Sequence, residues 1–456
     1  ERSHAISLTA NDSQIDAAAL NALNAKTTGL ITLSSATSIT GSATDVLASF
    51  NAPSTEISGL SGDEAVTLTS AATVAQIAAL EAKTSAAISA TISDSVVNLL
   101  AISETTNNLT LSITDTTVKA SDLLLLKAKT TGNVRLATGA VVEGTDTELI
   151  ALVTGIAGIT NFTNTTTSIT GGSYTVAKIN AVETKLDTVS WTSSIKATVT
   201  ENDFAVLNTL ARNGAYTIEL KRTSEFVQGG TALVEKVNAA NVNTLNNKTT
   251  EVLVVNTSDH LHGATAAVKT ALESNKTGTV SGLGAVSVTV DTAGIAIADA
   301  NYIETRTTGV VTASLATLEL ESFIAPTTDV IAFESGNIYS FEVDDDVALT
   351  PAEVKQLILL NAATAGTITI DPDDSSVADL NGALADLKAI AQSGKTAAQI
   401  TAGDINGIGG LADAAYVIND TGVVSLADLN IIEATTSGAV NANTATSLTG
   451  SITDVD

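Results

Sequence analysis

The chain has 456 residues and a mass of 46.0 kDa, about 101 Da per residue against the ~110 of ordinary usage, so small side chains dominate it. Lys and Arg number 21 against 49 Asp and Glu, a net charge of −28, and there is no Cys and no Met. That composition excludes disulfides, thiolate metal sites and cysteine nucleophiles, and the acidic excess disfavours nucleic acid and anionic membranes.

Hydrophobic residues still make up 44% and mean hydropathy is +0.29, unlike a disordered chain, while aromatics are only 3%. An aliphatic, thinly spread apolar content predicts a core two layers deep rather than a thick globular one. No apolar run reaches the ~18 residues of a membrane-spanning helix. A chain without Met lacks an initiator, so Glu1 is expected to be a processed or internal start.

From the N-terminus onward a phrase recurs. Lys26-Thr27-Thr28-Gly29 returns as Lys83-Thr84-Ser85, Lys129-Thr130-Thr131-Gly132, Lys248-Thr249-Thr250, Lys276-Thr277-Gly278 and Arg306-Thr307-Thr308-Gly309, with degenerate copies at Thr364-Ala365-Gly366 and Thr435-Thr436-Ser437-Gly438. A unit of roughly 28 residues, sometimes counted in pairs, explains most of the spacings, but the step of 46 from Lys83 to Lys129 does not fit it.

Each phrase follows a helical pattern. Leu20 with Leu23, Ile77 with Leu80 and Leu123 with Leu126 give i, i+3 apolar pairs among alanines. Thr350-Pro351-Ala352-Glu353 reads as a capping box with Pro at the first helical position, and Ser425-Leu426-Ala427-Asp428 as a weaker cap. The Gly of each phrase is expected at a left-handed C-cap, and the Lys suits the negative end of the helix dipole. A short β-branched run comes next: Leu30–Leu33, Asn133–Leu136, Val310–Thr312 and Thr367–Ile370. Between phrases, Gly41–Leu47 and Gly144–Ile150 read as turn, cap and a second short helix.

Strand alternating with helix at this period predicts an α/β fold: a repetitive strand-helix solenoid of roughly 28-residue units, about 16 in all, with a parallel β ribbon and short Ala-rich helices over residues 1–456. Residues 190–226 are the least regular, with the lone Trp191 and the pair Lys221-Arg222, and are expected to form an insertion or bend. Glu433–Val455 repeats Asn24–Val46 without a gap, Gly438 standing for Gly29 and Asp454 for Asp45. The chain is therefore expected to be a segment of a longer repeat protein.

Catalytic motifs fail on inspection. Gly407-Ile408-Gly409-Gly410-Leu411-Ala412 has dinucleotide-turn spacing but no preceding buried strand, and Gly394-Lys395-Thr396 lacks the upstream Gly of a phosphate loop. Gly59-Leu60-Ser61-Gly62 lacks the spacing of a nucleophile elbow. Asp259-His260-Leu261-His262 sets two imidazoles on one strand face without a third ligand in sequence. Eight Asn-x-Ser/Thr triplets, at Asn11, Asn108, Asn161, Asn164, Asn247, Asn256, Asn275 and Asn419, become glycan sites only on export to a host with that machinery. Two acidic runs, Asp344-Asp345-Asp346 and Asp371-Pro372-Asp373-Asp374, are the candidate Ca²⁺ ligands, although neither follows an EF-hand spacing.

Taken together, Leu20-x-x-Leu23, Lys26-Thr27-Thr28-Gly29, the β-run, Ser34-x-Ala36-Thr37-x-Ile39-x-Gly41 and Asp45-Val46 resemble the repeats of giant acidic cell-surface proteins of marine cyanobacteria, of the swimming-associated and adhesin type. The resemblance implies export, an extracellular, cell-surface location and a structural or adhesive role, and it carries no site residues. Partners are expected to be further copies or continuation of the same chain and cell-surface polysaccharide. The alternatives are an S-layer or filament subunit that assembles head to tail, and a solenoid carbohydrate-active enzyme or phage depolymerase, against which the scarcity of aromatic sugar platforms argues.

The charge balance generates a first prediction. Stacked acidic units repel one another, so millimolar Ca²⁺ should raise the melting temperature, with Asp344, Asp345, Asp346, Asp371, Asp373 and Asp374 as ligands. Superimposable melting curves in Ca²⁺ and in chelator, at constant ionic strength, would rule this out.

Overall fold

A computed structural model of the chain describes residues 4–103, 106–221, 223–226, 233–256, 260–320, 336–343, 348–370, 379–393 and 407–451. The fold is mixed α/β, with parallel strands in several sheets and 14 α-helices among the described residues. Among the described strand pairs all are parallel except Thr223–Phe226 with Leu233–Asn238, which run antiparallel.

The chain divides into two compact units: Glu1–Glu201 with Thr209–Ile218 and Lys248–Thr250, and Asn202–Asn208 with Glu219–Asn247 and Glu251–Asp456. In the first unit a seven-stranded parallel sheet runs in spatial order from Ile159–Thr160 through Val134–Arg135, Asn108–Ile113, Ile88–Asp94, Ala65–Leu68 and Ser38–Gly41 to Gln14–Asp16. A five-stranded sheet holds Thr117–Lys119, Val141–Gly144, Thr166–Tyr174, Ile195–Val199 and Ala215–Thr217. In the second unit the largest sheet has eight strands, with Ser287–Val290, Val311–Ser314, Ile338–Val343 and Thr367–Ile370 as consecutive neighbours. Strand alternation puts Val, Ile and Leu inward and Ser and Thr outward, as in Thr367–Ile370, where Ile368 and Ile370 are buried and the threonines half-exposed.

Sequence neighbours are space neighbours. Ser38 pairs with Ala65, Ser89 with Asn108, Val134 with Ile159 and Val288 with Val311. The register steps in these pairs fall below 28 residues, because the loops of one rung are short even where it holds two strands and a helix, as in Gln14–Asp16, Ala17–Asn24 and Ile31–Leu33.

The expected helices form where their caps predict. Thr350 accepts from the Glu353 backbone while Glu353 Oε2 accepts from Thr350 N at 2.6 Å, opening the helix Pro351–Ala363. Ser42 opens Ala43–Asn51 and Ser425 opens Leu426–Glu433. Ile77, Leu80, Leu123 and Leu126 are buried. Leu23 is not: it is 38% exposed, while Leu20 on the same helix is buried. Leu126 belongs to the helix Ala120–Ala128, which is packed by Val96–Leu100 and by Asp146–Thr154, whereas Leu23 lies on Ala17–Asn24, which packs on Ala43–Asn51.

The largest departure from expectation concerns the glycines. Gly278 has φ +85° and ends the helix Thr265–Thr277 as a left-handed cap, with open space around a would-be Cβ. The Gly of the full Thr-Thr-Gly phrase does something else. Gly29, Gly132 and Gly309 do not have left-handed φ; a Cβ at Gly309 would sit 2.3 Å from the Val286 carbonyl oxygen, and one at Gly29 2.3 Å from that of Ile6. Glycine is needed there because the backbone of one rung touches the backbone of the rung before it.

The two roles separate by mutation. Gly309→Ala forces two main chains apart and should cost about 3 kcal/mol, whereas Gly278→Ala pays the left-handed penalty alone, about 1 kcal/mol. Equilibrium urea denaturation followed by far-UV circular dichroism checks the order; equal losses would refute the close-approach role.

Candidate functional site

The polar chemistry of the chain is concentrated in the seam between successive rungs. Two residues before Gly29, Gly132, Gly309 and Gly366 stands a buried Thr, and before Gly438 the half-buried Thr436; the single-Thr copy at Gly278 has Lys276 there. Thr130, 5% exposed, donates from Oγ1 to Leu109 O at 2.7 Å and accepts from Leu109 N at 2.8 Å and from Gly132 N at 2.9 Å. Thr364 repeats this on Tyr339, accepting from its N at 2.8 Å and donating to its O at 2.9 Å. Thr249 does the same with Tyr216 at 3.1 and 2.6 Å. Thr27 donates to Ile6 O at 2.7 Å, Thr307 to Val286 O at 2.6 Å and Thr436 to Ala414 O at 2.5 Å. A hydroxyl both donates and accepts, so one side chain replaces the strand-to-strand bonds that the turn interrupts.

Asparagine fills the same place in rungs where the phrase is missing. Asn107, 2% exposed, accepts from Ile88 N at 2.8 Å and donates to Glu81 Oε1 at 2.9 Å. Asn337 accepts from Val311 N at 2.8 Å and donates to Glu304. Asn107 lies midway between Thr84 and Thr130, so the 46-residue step is two rungs, one of them clamped by Asn.

A second seam joins the helices. Asn21 Nδ2 donates to Asp45 O, Asn180 Nδ2 to Thr209 O and Asn243 Nδ2 to Ala267 O, each at 2.9 Å. Helix N-termini receive carboxylates from the following rung: Val96 N donates to Asp115 at 2.7 Å, Val176 N to Glu201 at 3.0 Å and Leu384 N to Asp420 at 2.7 Å. Such acids complement the positive end of the helix dipole. Within a rung, the Thr145 backbone N–H and hydroxyl hold Glu148 below the usual carboxylate range. That contribution is present above the ordinary Glu value and is lost as pH falls through the lowered one.

Two tyrosines meet acids in the interior. Tyr339 donates to Glu304 Oε1 at 2.8 Å, and its burial first, then that acid, push the phenol up. Tyr216 donates to Glu183, both fully buried. On the surface, Arg306 lies 3.5 Å over the Tyr302 ring and bonds Glu273 at 2.8 Å, which Tyr302 also bonds. The Arg306 bond is the main cause holding Glu273 below its usual range.

The sequence candidates fall as follows. Asp344, Asp345, Asp346, Asp371, Asp373 and Asp374 all lie outside the described residues. His260 and His262 share a strand face, His260 Nε2 2.7 Å from Thr289 Oγ1 and His262 Nδ1 3.0 Å from Asp291 Oδ2. Among the described residues no three His, Asp or Glu converge as metal ligands. Gly407–Gly409 is a buried strand beside Thr367–Ile370, not a turn opening a helix, and Gly394-Lys395-Thr396 lies outside the described residues. Trp191 is buried, and its Nε1–H bonds Thr165 O at 3.0 Å. A shallow groove of about 710 Å³ on the second unit is lined by Ser314, Ser340, Thr367 and Thr369, with Glu342 its lining carboxylate. No helix among the described residues is long and apolar enough to cross a membrane.

The Thr clamp yields a direct test. Thr130→Val keeps the shape and removes the hydroxyl, leaving buried Leu109 and Gly132 groups unpaired, for a loss of about 2–4 kcal/mol. Thr130→Ser should recover most of it, and Thr131→Val, at the exposed neighbour, should be nearly neutral. Urea midpoints of the three variants decide the matter. The chain matches no family model, and neither a curated protein nor a solved structure matches it.

Proposed function

We propose that the chain is a non-enzymatic structural segment of an extracellular, cell-surface repeat protein, and that its units are stretches of a strand-helix solenoid serving as a fibre or adhesin stalk. The observation that carries the reading is the recurrence of one buried clamp, Thr27, Thr84, Thr130, Thr249, Thr307 and Thr364, with Asn107 and Asn337 as substitutes and the half-buried Thr436 making the same bond. Buried polar side chains that join each rung to the one before serve cohesion along a stack. Small residues at the seams allow the close spacing that makes such a stack stiff.

A head-to-tail assembling subunit of an S-layer or filament is the second reading, and one observation favours it. Ser447–Thr449 pairs with Val423–Ser425 in the register in which Ser38–Gly41 pairs with Gln14–Asp16. One register thus serves both pairs, so units of this kind are interchangeable stacking partners, as self-assembling copies require.

Electron microscopy of the native assembly, with intact mass and light scattering, tests both readings. Thin extended fibres made of a polypeptide much longer than 46.0 kDa are expected for the stalk. A 46.0 kDa chain in high-mass lattices or filaments would select the assembling subunit, and a monodisperse compact monomer would overturn both.

A further inference from the structure

We propose that Glu183 and Tyr216 form a proton-controlled latch that fastens the segment Thr209–Ile218 to the helix Val176–Asp187, tight when Glu183 carries a proton and loosened when it ionises. The latch is independent of the surface role proposed above.

Glu183 lies in the C-terminal half of its helix and is 1% exposed. The Tyr216 hydroxyl, itself fully buried, donates to Oε1, and Oε2 is buried without a hydrogen-bond partner. An ionised carboxylate removed from water requires several donors; here one is supplied. Glu304 shows what a complete set looks like, receiving both the Tyr339 hydroxyl and the Asn337 amide. The Glu183 site has the tyrosine and not the amide.

The surrounding charges do not make up the difference. On its own helix stand Lys185 and Asp187. Arg212, from the latched segment, pairs with Asp187 and lies 5.8 Å over the Trp191 ring. Lys248 donates to Leu210 O at 2.8 Å. Both cations are engaged elsewhere and act on Glu183 only through space. Burial therefore wins and pushes the Glu183 carboxyl up, with the Tyr216 bond and then Arg212 and Lys248 opposing. A raised value in the folded state gives stabilisation that is complete below the ordinary Glu range and is lost as pH rises through the raised value.

The single Trp of the chain lies beside the latch and reports on it, because Trp191 is buried and carries Arg212 over its ring. Trp191 fluorescence of the full chain, titrated between about pH 4 and pH 9, should show a transition above the ordinary Glu range. Glu183→Gln should abolish the transition and hold the acid-form spectrum. Tyr216→Phe, which removes the donor, should move it further up by about half a unit or more, since that bond favours the ionised form. Asp187→Asn should leave it in place, separating the latch from the Arg212 pair. A flat wild-type titration, a transition that survives Glu183→Gln, or one that vanishes in Asp187→Asn overturns the proposal. Should Glu183→Gln lose its far-UV circular dichroism, the Tyr216→Phe titration decides: upward displacement supports the latch and no displacement overturns it.

Discussion

Main chain pressed against main chain is the constraint from which the rest of this architecture follows. Where the helix returns to the sheet, Gly309 lies on the Val286 carbonyl and Gly366 on that of Tyr339, at distances no side chain tolerates. Contact that close breaks the regular ladder of strand bonds, and a broken ladder leaves buried N–H and C=O groups that must find partners. The buried Thr two residues earlier provides both a donor and an acceptor within reach. Glycine and threonine are thus one device, the first allowing the approach and the second satisfying the groups it strands.

The same economy explains the composition. A rung offers few inward positions, and the aliphatic residues of its short strands and helix fill them, with Phe162, Trp191, Tyr216, Tyr339, Phe341 and Tyr416 among the large buried exceptions. The acidic excess is partly structural, because Asp115, Glu201 and Asp420 close helix N-termini in the rung before their own. Cations find acids on neighbouring helices, as Lys269 does with Asp299 and Lys388 with Asp428. These half-buried pairs near the surface add little stability individually, but they bias adjacent helices toward one register.

Much of this was legible in the residues. Caps at Ser42, Thr145, Thr350 and Ser425, β-runs after the phrase, and the buried pairs at Ile77 and Leu123 all follow from local chemistry, which reads the same in any context. The role of the phrase glycine was not, because a close approach depends on a strand some twenty residues earlier, whereas a helix cap depends on its own turn. Only Gly278, in the copy with a single Thr, behaves as a cap. Asn107 and Asn337 were missed for a related reason: a search for Thr-Thr-Gly passes over an amide that performs the same bonding. The 46-residue step was the visible trace of it. The Tyr216–Glu183 contact joins residues 33 apart and left no pattern at all.

The two asparagine rungs also set how the molecule ages. Threonine hydroxyls are chemically inert over long exposure, but side-chain amides hydrolyse and are among the thermolabile groups. Deamidation of Asn107 would turn the donor that faces Glu81 into a second carboxylate, and at Asn337 the same change would confront Glu304. One slow hydrolysis would convert an attractive contact into a buried repulsion, with nothing in the rung able to reverse it. At the clamp position itself, then, the two amides are open to a slow chemical loss that the threonine hydroxyls of the equivalent positions do not undergo.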